Sequence, residues 1–371
     1  MIAPNPFTPQ SGWEPKEFGG RKEEITLFEK KLRAAKTDKI DHMVLLGEWG
    51  IGKTSLLKYF KKLAQKMGYP SMLCPIGRFT DKDKTIDGIN LILEELERTF
   101  PYEHTSGTSR KRQARSIQPQ TLLTNKLLSL YKVIASDLVV ILLDDVQNFS
   151  KISEVIDIIR LVLSRDEIIQ HTKYLFVLSS TPEGWQFFID KHSPIGRFFR
   201  SKLSLALLSR EEVLKISKTT LAHTGVSFSD DILNNIYAYT KGHPYELQLL
   251  SSNLYETQIQ AKVATVQQWA KALSDTLRDL GRDYFESLYR QITERERPLL
   301  EILSQQNTPL DIKEIKDLIW ADIRRYKGYP LRDIGSFIYR LEDKGIVKKI
   351  ARGKYEIFDR MFLEYFNAQK Q

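Results

Sequence analysis

An apolar tetrapeptide, Met43-Val44-Leu45-Leu46, runs directly into Gly47-Glu48-Trp49-Gly50-Ile51-Gly52-Lys53-Thr54, and Ser55-Leu56-Leu57-Lys58-Tyr59-Phe60 follows with amphipathic helical spacing. Every fixed position of the phosphate-loop pattern G-x-x-x-x-G-K-[ST] is filled, in the strand–loop–helix context that the pattern requires. This order constrains the fold strongly, because a buried strand must turn tightly and feed a helix N-terminus. Glycines let the backbone wrap closely and aim N–H groups at phosphate oxygens, and the helix start adds partial positive charge. Lys53 is placed to reach β- and γ-phosphates, and the Thr54 hydroxyl to hold Mg²⁺. Glu48, Trp49, Gly50, Ile51 and Ser55 complete the stretch that surrounds the phosphates.

A second apolar strand, Leu138 to Leu143, ends in Asp144-Asp145. This is a Walker B pattern. A continuous apolar run indicates burial on both faces, and the expectation is a strand lying beside the phosphate-loop strand. Asp144 is placed to hold Mg²⁺ through water, and Asp145 to orient or deprotonate an attacking water. The pair of motifs predicts a Mg·ATP site.

Strand-like stretches at 43–46, 69–76, 138–143, 174–178 and 203–207 alternate with helical ones at 54–67, 85–100, 119–135 and 152–163. That alternation predicts an α/β fold: a mostly parallel sheet with helices on both faces, carrying ligands at the carboxyl ends of its strands. After residue 208 the strands stop. Helices are expected at 209–224, 229–240, 245–260 and 265–291, with Ser209 and Glu212 forming a capping box. The last 80 or so residues read as three helices (293–305, 311–319, 331–344), a hairpin (346–349 with 354–358) and a final helix at 360–368, the layout of a winged helix. The expected domains are an extended or loosely held arm (1–17), a P-loop ATPase core (18–208), a helical lid (209–291) and a winged helix (292–371).

The chain has 371 residues with 42% hydrophobic and 28% charged content, and its longest apolar runs are strand-sized, so no membrane span is expected. A single cysteine, Cys74, excludes an internal disulfide framework and a cysteine-based metal site, and makes a cytoplasmic location the default. The net charge of +9 is compatible with an acidic partner.

Further segments occur in a recognisable order: Phe18-Gly19-Gly20-Arg21, the polar strand tip Ser179-Ser180-Thr181, Arg197 and Arg200, Leu205 to Glu212, and Gly242-His243-Pro244. Together they resemble AAA+ and STAND-like P-loop ATPases, especially archaeal-type ATPases related to origin-recognition initiators. The resemblance covers roughly residues 18–260, and the winged helix extends it. It implies that Arg21 and its turn line the adenine side and that Ser180 or Thr181 is a sensor near the γ-phosphate. Arg197 or Arg200 would be an arginine finger offered to a neighbouring subunit of a homo-oligomer, and His243 and Pro244 would carry a helical lid. Asp-Asp in place of Asp-Glu, and no evident sensor-2 arginine, favour a slow nucleotide-controlled switch over a fast motor.

From Arg324 to Lys354 there are ten Lys or Arg against Asp333, Glu342 and Asp343. Arg325, Arg340, Lys344, Lys348 and Arg352 are expected to follow a double-stranded DNA backbone, with Ser336 and Tyr339 beside Arg340 on the recognition helix. Arg110, Lys111 and Arg112 form a second basic run that could grip nucleic acid. The alternative is a signalling switch or scaffold whose winged helix contacts protein.

Overall fold

The computed structural model describes residues 3–10, 18–35, 37, 39–101, 118–192, 194–257, 266–306, 308–322 and 324–369. The chain forms two compact units, one spanning 10–207 and the other combining 1–9 with 208–371.

The first unit is built on strands β1 (Met43–Leu46), β2 (Ser71–Pro75), β3 (Val139–Asp144), β4 (Tyr174–Ser180) and β5 (Ser201–Ser204). Their order is β2-β3-β4-β1-β5 with every neighbouring pair parallel. This is the expected α/β core. Alternate residues feed two apolar cores, one on each face. Val139, Ile141 and Leu143 enter one core with Val44 and Phe176, and Val140 and Leu142 enter the other with Leu45 and Val177. Covering helices include Lys22–Ala35, Lys53–Lys66, Thr85–Thr99, Pro119–Ile134 and Glu154–Leu163. His42 lies buried near Phe198 and Phe199, where its Nδ1 accepts the Phe176 N–H at 3.1 Å, and burial pushes its pKa down to about 4.

One expectation is corrected. The Asp144 strand does not adjoin the phosphate-loop strand, because β4 lies between them. Continuous apolarity shows that a strand is buried but not which neighbour buries it. The inserted strand brings its polar tip between the two motifs. Leu143 is paired with Leu178 and Leu46 with Ser180, which brings Asp144, Ser179 and Gly47 to the same edge of the sheet. The strand expected at 203–207 is also displaced, to Ser201–Ser204.

The second unit begins with helices Arg210–Leu221, Asp230–Thr240, Pro244–Thr257 and Val266–Leu280, the last continuing through a π-turn, Gly281–Phe285, into Glu286–Arg290. Ser209 caps the first with the expected reciprocal bonds to Glu212. Helices Arg297–Ser304, Ile312–Ala321 and Ile334–Asp343 follow. They accompany a three-stranded antiparallel sheet of β6 (Leu310–Asp311), β7 (Val347–Ala351) and β8 (Lys354–Ile357), and helix Arg360–Ala368 closes the chain. Residues 3–8 of the N-terminal arm are more firmly held than their composition suggests. The Asn5 amide donates to the Ser252 carbonyl and to Glu256, the Tyr255 hydroxyl donates to the Ala3 carbonyl, and Phe7 joins the apolar core of this unit.

Candidate active site

The loop between β1 and the helix Lys53–Lys66 turns through Gly50 and Gly52, both at positive φ, a conformation that glycine adopts without steric cost. Gly47 donates its N–H to the Ser180 carbonyl at 3.2 Å, which ties the loop to the end of β4. The buried Lys53 ammonium donates to the Gly47 and Glu48 carbonyls at 2.8 and 3.0 Å. Ser55 is half-buried in the first turn of the helix, and Trp49 is partly exposed.

The two sequence motifs meet at one hydrogen bond. The Thr54 hydroxyl donates to Asp144 Oδ2 at 2.7 Å. The helix that carries Thr54 packs across β2, β3 and β4, and this bridges the inserted strand. Ser179 donates to Asp144 Oδ1 and accepts the Asp145 backbone N–H at 2.8 Å. Asp145 itself takes a left-handed backbone conformation, φ 59°, which is more accessible to Asp than to most residues. The conformation turns the chain sharply out of β3 into the 3₁₀ helix Val146–Ile152. Val146, Phe149 and Ile152 are buried, three residues apart, as a three-residue turn requires.

The site is rich in carboxylates. Burial lowers the Lys53 pKa, while the charges of Asp145, Asp144, Glu48 and Glu183 oppose that shift. Burial raises the Asp144 pKa against the hydrogen bonds from Ser179 and Thr54. Burial and the neighbouring Glu183 raise that of Glu48, with Lys53 opposing. The Thr54 hydroxyl and Asp144 carboxylate are hard oxygen donors at one point, a pair that suits Mg²⁺ completed by water and phosphate oxygens. No group of three or more His, Cys, Asp or Glu capable of holding a metal occurs among the described residues.

Other candidate residues are placed as follows. Arg21 is buried, with φ 59°, and its guanidinium donates to the Ile51 carbonyl at 3.0 Å and the Ala206 carbonyl at 2.7 Å. It thus braces the phosphate loop against the segment that follows β5. Thr181 caps the helix Pro182–Lys191 by accepting the Gly184 N–H. The Ser180 hydroxyl is buried with no hydrogen-bond partner among the described residues. Ser179 touches both Asp144 and Asp145, and no local pattern separates it from its two hydroxyl neighbours, Ser180 and Thr181. Arg197 and Arg200 are both exposed, and Arg200 lines a cavity of about 500 Å³ with Lys31 and Asp41.

In the other unit, Gly242-His243-Pro244 joins two helices. Gly242 has φ 84°, and a Cβ there would lie 1.9 Å from the Leu208 carbonyl oxygen, so only glycine fits the turn. Pro244 opens the next helix, and the His243 backbone N–H bonds to Thr240. Of the five expected DNA-facing cations among the described residues, four have acidic partners. Arg325 pairs with Glu301 at 2.7 Å, Arg340 and Lys344 converge on the buried Glu296 at 3.5 and 2.7 Å, and Lys348 pairs with Glu356 at 3.4 Å. Arg352 is exposed and forms no ion pair among the described residues, as do Arg324, Lys327, Arg332 and Lys349. Arg110, Lys111 and Arg112 lie outside the described residues. Among the described residues no helix is long and apolar enough to cross a membrane.

Comparison with known proteins agrees with this geometry. The family model described as the KAP family P-loop domain matches residues 21–168. Among solved structures, the Walker-type ATPase paby2304 of Pyrococcus abyssi superposes with a TM-score of 0.66 at 13% identity, over 95% of this chain and 97% of that one. The Aeropyrum pernix ORC2 protein, in ADPNP and ADP complexes, gives 0.67 at 14% identity over 98% of each chain. CDC6P from Pyrobaculum aerophilum gives 0.50 at 14% identity over 98% of each. No curated protein matches. At these identities the likeness establishes the fold, that of a P-loop NTPase.

Proposed function

We propose that this protein is an ATPase that uses the Gly47–Thr54 loop and the Asp144-Asp145 pair to bind and slowly hydrolyse ATP, and that it works as a nucleotide-controlled switch on double-stranded DNA. The observation that carries the catalytic part is the 2.7 Å bond between Thr54 and Asp144, which unites both halves of a nucleotide site beside Lys53. Thr54 and Asp144 would hold Mg²⁺, which supplies charge neutralisation on the phosphates. Lys53 releases the Gly47 and Glu48 carbonyls and turns to the phosphate oxygens. Asp145 takes a proton from the attacking water as the new oxygen–phosphorus bond forms at the γ-phosphate. The β–γ bridging bond breaks, and its electron pair leaves on ADP. The ADPNP and ADP complexes of the similar ORC2 protein support the choice of adenine nucleotide.

The C-terminal three helices and hairpin form the winged helix of this reading. Exposed Ser336, Tyr339 and Arg340 lie along its recognition helix, and Arg352 lies at the wing. Helices 209–291 serve as a lid that responds to nucleotide through Gly242-His243-Pro244, and Arg197 or Arg200 completes the site of a second copy of the chain. A cytoplasmic location belongs to the same reading.

The test combines ATP turnover with filter binding to duplex DNA at rising salt. Turnover should fall about 10²- to 10³-fold in Asp145→Asn, as expected for loss of a general base, with nucleotide affinity kept. Asparagine tolerates the same left-handed backbone, so the change is local. Parental turnover in that variant removes Asp145 as the base. DNA affinity that is absent, or indifferent to salt, removes the DNA partner. A second reading, a switch whose winged helix contacts protein, is favoured by the pairing of Arg325, Arg340, Lys344 and Lys348 with carboxylates. ATP-driven assembly that needs a protein ligand and no DNA would select it.

A further inference from the structure

Gln147 lies two residues beyond Asp145, on the 3₁₀ helix that β3 feeds. Its side-chain amide donates from Nε2 to Asp145 Oδ1 at 3.0 Å. The assignment of nitrogen to that side follows from chemistry, since an ionised carboxylate accepts and cannot donate. The amide oxygen, Oε1, is buried and has no hydrogen-bond partner among the described residues. An orphaned buried acceptor is destabilising, and native proteins keep few of them. A second orphan, the Ser180 hydroxyl, is buried at the adjoining strand tip.

Packing holds Gln147 in place. Gly184, in the first turn of the helix Pro182–Lys191, leaves no room for a side chain. A Cβ there would lie 2.4 Å from Gln147 Cβ and 3.1 Å from the Ser180 hydroxyl. Gln147 is therefore fixed from behind by a glycine and from the front by the carboxylate that it holds. Simple packing would be met by an apolar side chain of the same length. The polar amide, with one end bonded to Asp145 and the other unmatched, needs a different reason.

We infer that Gln147 is a positioning residue for hydrolysis: its amide N–H fixes the Asp145 carboxylate in the orientation that receives the proton. The inference rests on the hydrolytic reading of the same site. It adds a residue that neither motif contains, and one that acts through Asp145.

The test uses the full chain carrying Gln147→Met, which keeps the length and loses both polar atoms, and Gln147→Glu, which keeps an acceptor and loses the donor. The probes are ADP alone and ADP with aluminium fluoride, a mimic of the transferring phosphoryl group. The parent should bind the mimic at least tenfold more tightly than ADP, as transition-state analogues do. Both variants should lose about tenfold of that preference, with ADP affinity within twofold of the parent, and ATP turnover should fall about 10- to 100-fold at unchanged KM. Parental preference and turnover in Gln147→Met would overturn the inference. So would a matched loss of ADP affinity and thermal stability, which marks a packing role. A parent that binds ADP but shows neither preference for the mimic nor turnover overturns the hydrolytic reading itself, and the inference with it. The parent's own behaviour thus separates the two failures.

Discussion

The two units bury polar groups in opposite ways. In the sheet unit, the chemistry sits where backbone geometry must deliver it, at the carboxyl ends of parallel strands. Asp144 is buried with a raised pKa, Lys53 is buried with a lowered one, and His42 is held neutral within the core. In the helical unit many charged residues are matched in pairs, among them Arg325 with Glu301 and Lys348 with Glu356. Glu296 is buried beneath Arg340 and Lys344, and its pKa is lowered by bonds from Lys344 and Thr293 that outweigh the effect of burial. Glu246 shifts in the opposite direction. It is buried, and burial together with Asp359 raises its pKa well above the usual carboxyl range. The contrast teaches that the first unit keeps buried charge under tension at a site, whereas the second sets its buried Glu296 against cations that hold the unit together.

Removing the tension should have the largest effect. Lys53→Ala should weaken nucleotide binding about 100-fold or more, because charge-assisted bonds contribute about 1.5–3 kcal/mol each. Titration with a fluorescent ATP analogue measures it, and a loss under tenfold would remove Lys53 from the phosphate contacts.

Next come two opposed pH slopes. Between pH 6.5 and about 4 the unfolded chain protonates His42 and the folded one does not. Stability of the sheet unit is therefore fully present above that window and falls by roughly 3 kcal/mol as pH drops through it. His42→Asn retains an acceptor for the Phe176 N–H and should flatten the slope in thermal unfolding. Glu246 acts in the other direction. Above the ordinary carboxyl range, the folded state keeps a proton that the unfolded chain releases, so stability present at acid pH is lost as pH rises. Glu246→Gln should melt above the parent at pH 8 and converge with it near pH 5. Parallel curves would show that Glu246 is not protonated in the fold.

Glu296→Gln should destabilise the helical unit by about 2 kcal/mol in urea unfolding, below the usual cost of breaking a buried pair because its cationic partners are partly exposed. The smallest structural effect belongs to Arg352. Arg352→Ala should change stability by less than about 0.5 kcal/mol, while lowering the salt slope of DNA binding by about 1 if it contacts a phosphate. An unchanged slope would turn the comparison toward the protein-contact reading.

The core's architecture was legible because its signals are local. The apolar runs of β1 and β3, the glycine spacing and the Asp144-Asp145 ending each express a backbone requirement. The Ser209–Glu212 capping box was legible for the same reason. Ser179 and Gln147 were not, since nothing in Ser179-Ser180-Thr181 says which hydroxyl faces Asp144, and Gln147 belongs to no motif. Arg21 was read as an adenine-side residue, but its bonds to the Ile51 and Ala206 carbonyls depend on residues 30 and 185 positions away in the chain. The basic tail was read by counting charges, and a count cannot include Glu301 or Glu296, which arrive from a preceding helix and its cap.

The sequence by itself determined a phosphate-binding loop, a Mg²⁺-suited acidic strand end and a change from sheet to helices near residue 208. These follow from steric and periodic rules that act over a few residues. Tertiary structure alone decided that β4 separates the two motif strands, that Ser179 and Gln147 hold the paired aspartates, and which cations remain exposed. Each of those outcomes is a choice of partner among residues far apart in the chain, and such choices are settled by register, burial and the need to match polar groups once the chain has closed.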